Sequence, residues 1–167
     1  WKPNPTAPLW YSGGIHEPQG PYFSHLNVEH VKQQGPSCVA TTLSMVANST
    51  GASTTPEDFK EVTNSQAPHT WSEALKPYGL QLAYCNSDLR RLGYFIDELV
   101  EYDDLFLLSF FSKDPPSDPL PSGKLCTAHI ITLHKGTIYD TAKDKHAGGE
   151  CLADDYSRLE RQTKRIF

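Results

Sequence analysis

Gln33-Gln34-Gly35-Pro36-Ser37-Cys38-Val39-Ala40-Thr41-Thr42-Leu43-Ser44-Met45-Val46-Ala47-Asn48 is the stretch on which the fold turns. Val39, Leu43 and Val46 recur at helical spacing and give one apolar face. Pro36 and Ser37 stand just before this pattern and Gly51 just after it, which predicts a helix that begins at Cys38. A thiol in a first helical turn lies beside exposed N–H groups and their partial positive charge. That position favours the thiolate, the nucleophilic form. Taken alone, Cys38 also fits the ordinary fate of a free cysteine, a small buried apolar residue.

A cysteine nucleophile needs a base within hydrogen-bond reach, and the base needs a third group to fix its tautomer. Ala128-His129-Ile130-Ile131-Thr132-Leu133-His134 and Thr137-Ile138-Tyr139-Asp140 flank Lys135-Gly136, which reads as a hairpin. A turn on Lys135-Gly136 pairs Ile131 with Asp140. His129 shares a face with Ile131, so His129 and Asp140 become diagonal neighbours on one face of the sheet. A one-residue slip would separate them. The alternative for His129 is a core histidine bonded to backbone. His134, beside the turn and off that face, is expected in solvent.

Around these two anchors the organisation is coarser. Residues 1–25 hold five prolines and five aromatics and predict an extended arm docked on the domain. Thr55-Pro56-Glu57-Asp58 signals a second helix start, with Thr55 as cap. A short helix is expected over residues 71–76, a strand over 80–84 and a helix over 92–102. Residues 105–111 form a continuous apolar run, the mark of a buried strand. Residues 112–124 carry four prolines and predict a long surface loop. The last 14 residues, from Asp154, read as a capped helix that runs out into a strand. Within them Arg158, Arg161, Lys164 and Arg165 are interspersed with acids and predict a solvated helix face. Asp103-Asp104 and Asp154-Asp155 read as a turn and a helix cap, and Trp71 and Tyr78 as packing in the helical half. Helices first and sheet second is an α+β order.

A chain of 167 residues suits one domain, here residues 1–167. With 38% apolar and 21% charged residues and a net charge of −5, the balance is that of a globular protein without a nucleic-acid footprint. No run is long and apolar enough to span a membrane. Trp1-Lys2-Pro3-Asn4-Pro5 lacks the basic and apolar regions of a signal peptide, and the absent Met predicts a processed product or a piece of a larger protein. Of Cys38, Cys85, Cys126 and Cys151, three remain if Cys38 is catalytic, so they cannot all pair. A reducing, cytoplasmic compartment is the default expectation.

The segment 33–48, followed by Gly51 and Thr55-Pro56-Glu57-Asp58, resembles the papain-like cysteine peptidases. It is most similar to the branch containing the double-glycine leader peptidases. Ala128-His129-Ile130-Ile131-Thr132-Leu133 and Gly136-Thr137-Ile138-Tyr139-Asp140 match the second half of that pattern: a strand with His, a Gly turn, and a strand ending in Asp or Asn. The resemblance spans roughly residues 30–142. It implies a papain-like α+β fold with a nucleophile-bearing helix packed on a small antiparallel sheet, and a peptide or protein substrate. It also implies Cys38 as nucleophile, His129 as general base and acid, Asp140 as the orienting residue, and no cofactor. An upstream Gln would complete the oxyanion hole with the Cys38 N–H, one such donor being worth about 10²–10³ in rate. The family's Gln usually stands six residues before the Cys, where this chain has Lys32; Gln33 and Gln34 are the candidates, Gln33 preferred. Val39 replaces the usual Gly or Trp after the nucleophile, which bears on substrate choice.

Three other readings use the same residues. An acyl- or peptidyl-transferase similar to the phytochelatin synthases shares the acyl-enzyme chemistry. A non-catalytic peptide-binding domain on a degenerate peptidase fold would dispense with it. A zinc site of Cys126, His129, His146 and Cys151 has the right donors in unusual spacing.

Overall fold

A computed structural model describes residues 23–83, 90–111 and 128–167. Among the described residues the first regular element is helix α1 (Cys38–Asn48), which is buried over Ala40 through Ala47. Its small residues let it lie close to its neighbours, and Asn48 fixes its exit. The Asn48 amide donates to the Thr54 carbonyl at 3.0 Å, and its oxygen accepts from the Thr54 N–H at 2.6 Å. Gly51, at φ +99°, makes the intervening turn in a backbone region that suits glycine.

Two further helices complete this layer. Helix α2 (Glu57–Lys60) is a single turn, begun by Asp58 accepting from the Thr55 N–H at 2.8 Å. Helix α3 (Pro68–Leu75) starts three residues earlier than expected, because proline, which has no N–H, fits a first helical turn whose N–H groups lack intrahelical acceptors. Residues 80–83 are not a strand, and Tyr84 lies outside the described residues. Helix α4 (Leu92–Leu99) buries Leu92, Phe95, Ile96 and Leu99, an i, i+3, i+4, i+7 stripe, and tightens into a 3₁₀ turn at Val100–Tyr102.

The strands form one antiparallel sheet in the order β4-β3-β2-β1-β5. They are β1 (Leu105–Phe111), β2 (Ala128–His134), β3 (Thr137–Tyr139), β4 (Glu150–Leu152) and β5 (Thr163–Ile166). The β2–β3 register pairs Thr132 with Tyr139 and His134 with Thr137. Continued by one step, it sets Ile131 opposite Asp140, as the hairpin reading requires.

Both faces of the sheet are covered, which explains why β1 reads as an unbroken apolar run rather than an alternating one. Leu107 and Ile130 pack with Leu43, Val46, Phe59 and Trp71 from the α1–α3 layer. Leu108, Phe110, Ile131 and Leu133 pack with α4 and with Tyr156 on the other face. His134 is buried rather than solvated, and its Nε2–H donates to the Phe23 carbonyl at 3.1 Å. Burial, only partly offset by that bond, lowers its pKa. Asp103, at φ +53°, makes the turn into β1, and Asp104 accepts from the N–H groups of Phe23 and Leu105.

The end of the chain departs from expectation. Asp154-Asp155 lies in a 3₁₀ turn (Ala153–Asp155) and caps no helix; the chain then turns into β5. Backbone pairing to β1 overrides the helical signal, since Thr163 and Ile166 are buried against the sheet. Most of the arm 1–25 and all of the loop 112–124 lie outside the described residues. Among the described residues, no helix is long and apolar enough to cross a membrane.

Candidate active site

Cys38 is the first residue of α1, and the backbone before it is tightly turned. Gly35 at φ +65° permits the turn, Ser37 N–H donates to the Gly35 carbonyl at 2.9 Å, and Ser37 Oγ donates to the Gln34 carbonyl at 2.9 Å. The Thr41 N–H then closes the first helical bond on Ser37 at 2.9 Å. The thiol is free and partly exposed at the head of the helix.

His129 and Asp140 meet as the hairpin register requires. The His129 Nε2–H donates to Asp140 Oδ1 at 2.6 Å, with Asp140 fully buried and His129 8% exposed. With Nε2 so occupied, Nδ1 is the ring nitrogen left for the thiol. Burial alone would depress the His129 pKa; hydrogen bonds to Asp140 and Cys38 and their charges outweigh it and raise it to about 9. Burial would likewise raise Asp140, but the His129 hydrogen bond and charge, with the Tyr156 hydroxyl and the Ala142 N–H, hold it at about 2.

Three supports of this arrangement carried no signal in the sequence. The Tyr156 hydroxyl donates to Asp140 Oδ2 at 2.6 Å, and the Ala142 N–H donates to Oδ1 at 2.9 Å. Burial and the Asp140 charge raise the Tyr156 pKa far above its ordinary value, so it stays a donor. His30 Nε2–H donates to the Asp140 carbonyl at 2.8 Å. Tyr156 and His30 lie 16 and 110 residues from Asp140 and belong to no local pattern.

Gln33 and Gln34 part company. The Gln33 amide oxygen accepts from Thr141 Oγ1 at 2.9 Å, and one of its two N–H groups donates to the Gly35 carbonyl at 2.9 Å. Its backbone N–H donates to the Thr141 carbonyl at 2.7 Å, which ties it to the residue after Asp140. Gln33 lines the same cleft of about 310 Å³ as Cys38, Val39, Trp71 and His129. Gln34 is exposed and does not line that cleft; it borders a neighbouring depression that also touches Cys38.

The basic residues near the chain end are not a solvated helix face. Arg158, Lys164 and Arg165 are half-buried and line the cleft of Cys38 and His129. Trp71 packs in the helical half as expected, edge-on to Phe167 at 5.7 Å, and its Nε1–H donates to the Asn64 carbonyl at 2.8 Å. Of the zinc set, Cys126 lies outside the described residues, and the His129 Nε2 is occupied by Asp140.

No protein-family model matches the chain, and no curated protein matches it in sequence. Among solved structures it is similar to a crystal structure from Bacillus anthracis, of a provisionally assigned C39-like peptidase, at a TM-score of 0.48 and 12% identity, over 83% of this chain and 94% of that one.

Proposed function

We propose that the chain is a papain-like cysteine peptidase in which Cys38 is the nucleophile, His129 the general base and acid, and Asp140 the orienting residue. The observation that carries this reading is a histidine clamped by a buried carboxylate at 2.6 Å, opening on the cleft that holds a helix-start thiol. A His129 pKa raised to about 9 makes the imidazolium its form at neutral pH, the partner a thiolate requires.

In the first half-reaction Cys38 Sγ attacks the scissile carbonyl carbon, forming a C–S bond while the carbonyl oxygen takes the electron pair. The Cys38 N–H and the second Nε2–H of Gln33 would hold that oxyanion. Collapse breaks the C–N bond, and His129 passes its proton to the leaving amine. Water then attacks the thioester, His129 takes its proton, and the C–S bond breaks to release the acid. An amine in place of water would give the transferase outcome on the same triad. No cofactor enters either route.

The test is iodoacetamide alkylation with peptide mapping, on wild type and His129→Ala. Cys38 should label fastest of the four cysteines at about pH 6 and slow roughly tenfold or more without His129. If Cys38 labels no faster than the others and His129→Ala changes nothing, the chain is a binding domain rather than an enzyme. For an active preparation, product masses with and without added amine decide between hydrolysis and transfer.

A further inference from the structure

We propose that this cleft takes an acidic acyl donor, a peptide bearing a carboxylate beside or near the scissile bond. The inference rests on the peptidase reading above and adds the substrate's charge. The chain as a whole carries a net charge of −5, yet three of the residues lining the cleft are the cations Arg158, Lys164 and Arg165. Among the described residues no Asp or Glu lines it, and none of the three cations is in an ion pair. Cations left without carboxylates in a partly desolvated cleft are complementary to an anionic ligand.

The arrangement is built by the strand rather than left to chance. On a regular strand Lys164 and Arg165 would point to opposite faces. The β5–β1 pairing shifts register between Ser109 and Phe110: Ser109 faces Arg165, Phe110 faces Thr163, and Lys164 is the extra residue. This is a bulge, and bulges re-aim side chains beside functional sites. It lets both cations reach the cleft while Thr163 and Ile166 stay buried. Burial, with the Arg165 charge added, holds Lys164 below the usual lysine range, a crowding that a bound anion relieves.

Charge preference can be read at Cys38 without knowing the substrate. Iodoacetate and iodoacetamide differ in charge but deliver nearly the same group, so the ratio of their rates at Cys38, found by peptide mapping, reports the field at the nucleophile. The ratio should exceed that of a small free thiol by about threefold or more, and fall toward it at about 0.5 M salt. It should also fall by about threefold in each of Lys164→Gln and Arg165→Gln, while Arg165→Lys keeps it. A wild-type ratio equal to that of the small thiol, insensitive to salt, overturns the proposal without the use of any variant. The ratio is defined whatever the absolute rate, so slow labelling of Cys38 counts against the peptidase reading and not against this one. Matched peptides as protectants against iodoacetamide then separate two sources of the carboxylate. One carries an internal Glu and an amidated end, one an internal Gln and a free terminal carboxylate, and one is neutral. Better protection by either acidic peptide than by the neutral one is expected, and the one that protects names the source. Equal protection by all three sinks the idea.

Discussion

His129 and Asp140 form one buried ion pair, and its charge state sets both the candidate chemistry and part of the stability. Raised from 6.5 to about 9, His129 contributes stability that is complete below pH 6.5 and is lost as pH rises through about 9. Lowered from 3.8 to about 2, Asp140 contributes stability that is present above pH 3.8 and is lost as pH falls through about 2. Counted once for the pair, the alkaline loss should be about 2–3 kcal/mol, read from urea midpoints across a pH series. Asp140→Asn should flatten that slope; an unchanged slope would assign it to other groups. Tyr156→Phe removes the hydroxyl that donates to Asp140 Oδ2 and should cost about 1.5–3 kcal/mol at neutral pH. Because that bond also lowers the Asp140 pKa, the acid limb of the profile should move to higher pH. Wild-type stability together with an unmoved acid limb would show the bond to be incidental.

The elements that present Cys38, His129 and Asp140 are short, and their junctions do much of the positioning. The corner between β3 and β4 is the clearest case. Gly149 accepts from the Asp140 N–H at 2.8 Å, and a Cβ there would lie 2.5 Å from the Lys143 carbonyl and 2.6 Å from His30 Nε2. Backbone cannot retreat as the end of a flexible side chain can, so Gly149→Ala should destabilise by about 1–3 kcal/mol. It should also slow Cys38 alkylation, since His30 and Asp140 are displaced together. Thermal melts and labelling rates measure the two effects; a melt unchanged within error would show that the corner gives way freely.

At the scale of the molecule, the sheet is held between two apolar layers, and Phe167 joins the edge strand to the helical one. Its N–H and carbonyl pair with Leu107 at 2.8 and 2.9 Å, and its ring lies edge-on to Trp71. Phe167→Ala, at a site only 5% exposed, should cost about 3–5 kcal/mol in chemical denaturation. It should also alter Trp71 fluorescence in the folded state. A cost below about 1 kcal/mol would mean that the two layers close over the gap.

Local pattern was enough for the parts of this protein whose determinants are local. The start of α1 at Cys38 followed from Pro36, Ser37 and the spacing of Val39, Leu43 and Val46. The pairing of His129 with Asp140 followed from a two-residue turn and the period of a strand, because a short hairpin leaves little freedom of register. Over the last residues the same reasoning failed: a helical charge pattern gave way to β5, since pairing to β1 and burial of Thr163 and Ile166 outweigh a weak local propensity. His134 is buried for a related reason, since the second face of the sheet is covered by segments remote in sequence. Tyr156 on Asp140, the choice of Gln33 over Gln34 as cleft residue, and the gathering of Arg158, Lys164 and Arg165 around the cleft of Cys38 were decided only by the tertiary structure. Each is a contact between distant segments, and periodicity within one segment carries no information about what another segment will bring against it.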